Sequence, residues 1–84
     1  MRNHEEIDIK KAHELDKELL IKIGEKIKKL RTAEGLTLVD LSFYSYVNLS
    51  TIQKLEKGKL CNITTSSLIR LCLFFKIDMR DLCM

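Results

Sequence analysis

The side chains best equipped for chemistry lie between Leu36 and Lys59, and most of them are hydroxyl, amide and ammonium groups. Such groups donate and accept hydrogen bonds and, in the case of lysine, attract anions. The two histidines, His4 and His13, lie outside this stretch, and no nucleophile has a visible base beside it. The residue types therefore favour binding over catalysis, and we expect no enzyme activity.

Two short helices separated by a tight turn are predicted within this stretch. Thr37 can cap the first helix, and Asp40 stands where the acid of a capping box belongs. Asn48 can cap the second helix, and Gly58 provides the left-handed residue that ends it. The pattern predicts a helix-turn-helix over about residues 37–57.

Further helices must position this motif. A stripe of apolar residues spaced three or four apart predicts one long helix that begins between Asp8 and His13 and ends before Gly35. Its members are Ala12, Leu15, Leu19, Ile23, Ile27 and Leu30. Two more helices are expected after the potential caps Thr64 and Asp78. The chain has no proline and three glycines, too few turn residues for most hairpin sheets, so we predict an all-α protein.

Composition restricts the class of protein. The chain has 84 residues, 45% of them hydrophobic and 32% charged, as expected for one small globular domain. No apolar run approaches the roughly 20 residues that a membrane span needs, and the N-terminal residues do not form a signal-peptide core. We therefore expect a cytoplasmic protein that does not associate with membranes.

The positive charges are clustered. The net charge is only +3, but five basic residues lie close together before the motif and three lysines lie at its end. They are Lys22, Lys26, Lys28, Lys29 and Arg31, followed by Lys54, Lys57 and Lys59. A solvated helix face with pairs such as Glu25–Lys29 explains part of the first cluster. A solvated helix face explains less of the second cluster.

The cysteines favour neither a metal site nor a disulfide framework. Cys61, Cys72 and Cys83 are odd in number and have no Cys-x-x-Cys spacing. Cys72 falls on the apolar face of its predicted helix, so we expect a small buried hydrophobic residue there. No cofactor is predicted.

The chain resembles the helix-turn-helix domain of the Cro-like phage repressors and the xenobiotic-response-element (XRE) regulators. The matching segments are Ile23–Arg31, Gly35–Thr37, Leu55–Lys59, Asn62–Cys72 and Ile77–Leu82. The resemblance implies a compact five-helix, lambda-repressor-like domain over residues 19–84, preceded by a helical N-terminal extension over residues 1–18.

The resemblance also implies a function. We expect a sequence-specific regulator of transcription, a repressor or controller-type protein, that reads the major groove of double-stranded DNA with the helix at about 49–57. Such proteins bind palindromic operators as homodimers. The alternative is a protein-interaction module or antitoxin-like partner that keeps the fold with weakened DNA binding.

Site residues follow from the same resemblance. The base-reading positions are Leu49, Ser50, Gln53 and Lys54. The phosphate-binding positions are Lys28, Thr37, Asn48, Thr51, Lys57 and Lys59. Arg31 and Glu56 match an ion pair that joins the first helix to the recognition helix, and a structural role for this pair is favoured over direct DNA contact.

The chain departs from the family pattern in the first motif helix and the turn. Leu38 replaces a phosphate-binding glutamine, and Tyr46 replaces the usual turn glycine, so a differently shaped turn is expected. Either the first motif helix is rotated, with Tyr44 filling space beside the small Ser45, or Leu38, Val39 and Phe43 form an exposed patch that binds a protein.

Two surfaces could form the dimer. The last helix, with Met79, Leu82 and Met84, is favoured over the apolar stripe of the extension. That stripe contains Ile7, Ile9, Ala12 and Leu15.

Overall fold

The computed structural model describes residues 6–83, which form five α-helices and, within that range, no strand. The helices are α1 (Ile9–Ala33), α2 (Leu38–Ser45), α3 (Leu49–Glu56), α4 (Thr65–Phe75) and α5 (Met79–Cys83). The all-α fold predicted from the sequence is confirmed. In the described part of the chain, no helix combines the length and the apolar character that crossing a bilayer requires.

Side-chain caps set where the helices begin. The Thr37 hydroxyl accepts the backbone N–H of Asp40 at 3.0 Å, and the Asp40 carboxylate accepts that of Thr37 at 3.0 Å. Hydrogen bonds from the Thr37 backbone N–H, and then from its side chain, lower the pKa of the Asp40 carboxyl. Asn48 and Thr64 cap α3 and α4, each through a side-chain oxygen that accepts a backbone N–H of the first turn.

The core lies between α1 and the other four helices. Its buried members are Leu20, Ile23, Ile27, Leu41, Val47, Ile52, Leu55, Leu71, Cys72, Phe75 and Leu82. Most of these residues lie on α1, α3 and α4. Burial raises the pKa of the Cys72 thiol, which behaves as the expected small hydrophobic residue.

Gly24 allows α1 and α3 to approach closely. A Cβ atom at this position would lie 2.0 Å from the carbonyl oxygen of Leu55, so no larger residue fits without moving one helix. The side-chain ammonium of Lys26 donates to the carbonyl of Asp81 and joins α1 to α5. α1 is therefore the element against which α3 is positioned.

The turn between α2 and α3 corrects one expectation. Tyr46 adopts the left-handed conformation, with φ 58° and ψ 31°, so the turn keeps the backbone shape of a glycine turn. The expectation of a differently shaped turn was wrong. The reason is that hydrogen bonds from neighbouring side chains hold the turn, as described below.

The aromatic residues of α2 lie on the surface. Tyr44 is 57% exposed and stacks on Phe74 with ring centroids 6.2 Å apart, while Ser45 is buried and its hydroxyl donates to the Leu41 carbonyl at 2.6 Å. In a rotated α2, the Tyr44 side chain would fill space beside Ser45. The exposure of Tyr44 therefore argues against this rotation. Val39 and Phe43 are 62% and 75% exposed, whereas Leu38 packs in part against the core.

The described part of the N-terminal extension, residues 6–18, does not fold back over the domain. From Ile9 onward it is the first part of α1, which runs without a break to Ala33, and the molecule has principal dimensions of 55 × 23 × 19 Å. Ile9 and Leu15 of its apolar stripe are 56% and 54% exposed. Residues 1–5 of the extension and Met84, which was assigned to the dimer surface, lie outside the described residues.

Candidate nucleic-acid interface

The Arg31 side chain of α1 bonds to both ends of the motif, through an ion pair at one end and a hydrogen bond at the other. Arg31 Nε donates to Glu56 Oε2 at 2.8 Å, and Arg31 Nη2 donates to Glu56 Oε1 at 2.9 Å. Arg31 Nη1 donates to the Leu36 carbonyl at 2.7 Å, just before α2. The two side chains are only 13% and 6% exposed. The hydrogen bonds to Glu56 raise the pKa of Arg31, so this arginine stays charged.

The outer face of α3 is polar and cationic. Ile52 and Leu55 point into the core, while Ser50 and Lys54, one turn apart on the opposite side, are exposed. Leu49 and Gln53 lie at the edges of this face and are half-buried. The four predicted base-reading residues thus lie on or beside one surface of a single short helix.

The predicted phosphate-binding residues surround that face. Thr37 and Asn48 begin α2 and α3, where backbone N–H groups and the helix dipole favour an anion. Lys57 and Lys59 follow α3 and are exposed, and the Lys59 N–H donates to the Lys54 carbonyl at 2.9 Å, around Gly58 at φ 70°. Thr51 is half-buried on α3, and Lys28 is exposed on α1 one turn before Arg31.

Two polar residues that hold the turn were not predicted. The Ser42 hydroxyl donates to the Val47 carbonyl at 2.7 Å, and Arg70 Nη1 donates to the Tyr46 carbonyl at 3.0 Å. No local pattern in the sequence indicates that the Ser42 side chain reaches the turn, or that Arg70 reaches a turn 24 positions away. Both contacts orient α3 relative to α2.

No metal-binding geometry occurs in the described part of the chain. Among residues 6–83, no three His, Cys, Asp or Glu side chains gather closely enough to bind an ion. Cys61 is exposed, Cys72 is buried and Cys83 is half-buried, and all three are free thiols.

Comparisons with known proteins agree with this geometry. A sequence model of the helix-turn-helix family matches residues 27–82. The crystal structure of the restriction-modification controller protein C.AhdI from Aeromonas hydrophila superposes with a TM-score of 0.67 and 32% sequence identity. The alignment covers 75% of this chain and 94% of that chain. A comparison with curated proteins found no match.

The chain belongs to the helix-turn-helix family, in its XRE-type branch. It is a DNA-binding regulator of transcription. The function predicted from the sequence is confirmed at this level.

Proposed function

We propose that the protein is a sequence-specific repressor or controller that inserts α3 into the major groove of DNA. One observation supports this above all: Ile52 and Leu55 anchor α3 in the core while its opposite face presents Ser50 and Lys54 to solvent. Lys54 can donate to guanine O6 and N7, and Ser50 can pair with several bases. Leu49 can contact a thymine methyl group, and Gln53 can bind adenine.

The residues around α3 bind the sugar-phosphate backbone in this proposal. Thr37 contributes through the backbone N–H groups that begin α2. The Asn48 side-chain oxygen accepts the capping hydrogen bond, which leaves its NH₂ group to donate to a phosphate oxygen. Thr51, Lys57, Lys59 and Lys28 add further contacts. Such contacts set the register on DNA and make affinity depend on salt, without reading sequence.

The protein acts as a homodimer on a palindromic operator. An eight-residue recognition helix reads only a few base pairs, and two such helices about 34 Å apart across a twofold axis restore specificity. The interface assigned to α5 needs revision, because Leu82 is 1% exposed and belongs to the core of its own chain. We assign the interface to the neighbouring surface of α4, where Ile69 and Leu73 are 45% and 72% exposed.

A protein partner is a second role for the same chain. Val39 and Phe43, one turn apart on α2, expose apolar surface that neither the core nor the proposed DNA contacts use. With the edge of Leu38 they form a patch suited to an apolar partner surface. The likeness to a restriction-modification controller protein favours the DNA-binding role over an antitoxin-like one. In this proposal the protein acts in the cytoplasm.

Two lysine substitutions test the proposal. Lys54→Ala should weaken specific binding by about 1–3 kcal/mol and relax the preference at one base pair of each half-site. Lys59→Ala should weaken binding to all duplexes alike and lower the salt slope by about one. Selection from a random duplex pool supplies the site, and fluorescence anisotropy measures both variants. Identical behaviour of the two variants across a panel of sites would refute the assignment of α3.

A further inference from the structure

An open cleft of about 390 Å³ lies between the first half of α1 and the segment that follows α3. Its lining residues are His13, Lys17, Gly58, Lys59, Leu60 and Cys61. His13 and Lys17 are one turn apart on the same face of α1. The cleft therefore combines basic side chains from two elements that are far apart in sequence.

The cleft is suited to an anion. Two lysines and a histidine are among its lining residues, and no acidic residue is. The acidic residues nearby on α1 are Glu14, Asp16 and Glu18, and Asp16 lines a separate neighbouring cavity with Cys83.

The position of Lys59 indicates which kind of anion the cleft binds. α3 ends at Glu56, three residues before Lys59. When α3 lies in the major groove, as proposed, Lys59 therefore lies near the phosphates at the edge of that groove. A phosphate that reaches Lys59 also reaches the mouth of the cleft that His13 and Lys17 share with it.

We infer that this cleft binds a backbone phosphate of the DNA, so that the first half of α1 extends the contact surface beyond the helix-turn-helix. The inference rests on the proposed DNA binding. The N-terminal half of α1 thereby gains a function that the family match, which begins at residue 27, does not include.

Lys17→Gln tests the inference, with Lys10→Gln as the control. Both lysines are exposed on α1 and both changes remove one positive charge, but Lys10 does not line the cleft. Affinity for a random duplex is measured against salt concentration by fluorescence anisotropy. Lys17→Gln should lower the slope of log K against log salt by about 0.9, the value for one phosphate, and Lys10→Gln should leave it unchanged.

Ethylation interference then locates the phosphate. The wild-type protein should show a phosphate at the edge of its footprint whose ethylation weakens binding. This interference should be reduced in Lys17→Gln and unchanged in Lys10→Gln. Equal slopes and equal interference in both variants overturn the inference while the proposed function stands. A wild-type protein that binds no duplex at low salt overturns the proposed function as well.

Free inorganic phosphate is the alternative to a DNA phosphate as the ligand of this cleft. Titration of inorganic phosphate, followed by the NMR signals of His13, measures it. Saturation by inorganic phosphate together with an unchanged DNA interference pattern in Lys17→Gln would assign the cleft to a free anion and overturn the DNA contact.

Discussion

At the scale of single residues, Arg31 connects the entrance and the exit of the motif. Its guanidinium has five N–H groups, of which three donate to Glu56 and to the Leu36 carbonyl. The structural role favoured from the sequence is thus compatible with a contact between the other two N–H groups and a phosphate. A lysine could not replace this arginine, because a single ammonium cannot match the planar carboxylate at two points.

Glu56→Ala should lower the free energy of unfolding by about 3 kcal/mol, because it leaves a charged guanidinium in a mostly buried position without its partner. Chemical denaturation followed by circular dichroism measures the change. Arg80→Ala is the control: Arg80 and Asp78 form an exposed pair at 3.5 Å, and its loss should change stability by less than about 1 kcal/mol. Equal stabilities of the two variants would show that the Arg31–Glu56 pair is solvated.

At the scale of the helices, the turn between α2 and α3 stores strain. Tyr46 has φ 58°, a left-handed conformation that is sterically unfavourable for a residue with a Cβ atom. Its side chain is 81% exposed, so packing offsets little of this steric cost. The hydrogen bonds from Ser42 and Arg70 to this turn hold the backbone in place.

Tyr46→Gly should therefore stabilise the protein by about 1 kcal/mol, since glycine adopts positive φ without the steric penalty. Thermal denaturation measures the effect as a higher melting temperature. Tyr44→Gly, the same change inside α2, should instead destabilise by at least about 1 kcal/mol, through helix propensity and the lost stacking on Phe74. A lower melting temperature for Tyr46→Gly would mean that the tyrosine side chain stabilises the turn.

Local signals explain why the helix boundaries could be predicted. The caps Thr37, Asn48 and Thr64 act within a few residues of their own position, so the sequence alone identifies them. The contact of Gly24 with Leu55 and the cleft of Lys17 with Lys59 depend on how α1 crosses α3, which no local pattern specifies. The assignment of Leu82 to a dimer surface failed for the same reason, because an apolar residue fits a core and an interface equally well.

At the scale of the whole molecule, exposed apolar surface remains at both ends. The proposed dimer uses Leu73 on α4, and the stripe with Leu15 on α1 is the competing surface. Leu73→Glu should give a monomer in sedimentation at micromolar concentration, because a charge would be buried in the interface. Leu15→Glu should leave the dimer intact. If Leu15→Glu gave a monomer and Leu73→Glu a dimer, the interface would lie on the extension and not on α4.

The close approach at Gly24 affects how the protein would meet DNA. α3 is capped by Asn48, tied to α1 through Glu56, and packed against the backbone of α1 before any ligand arrives. The conformational entropy of ordering α3 is therefore lost during folding and not during association. The heat capacity change of complex formation should accordingly reflect the surface buried between two preformed partners, without the additional contribution that a helix folding on its target would make.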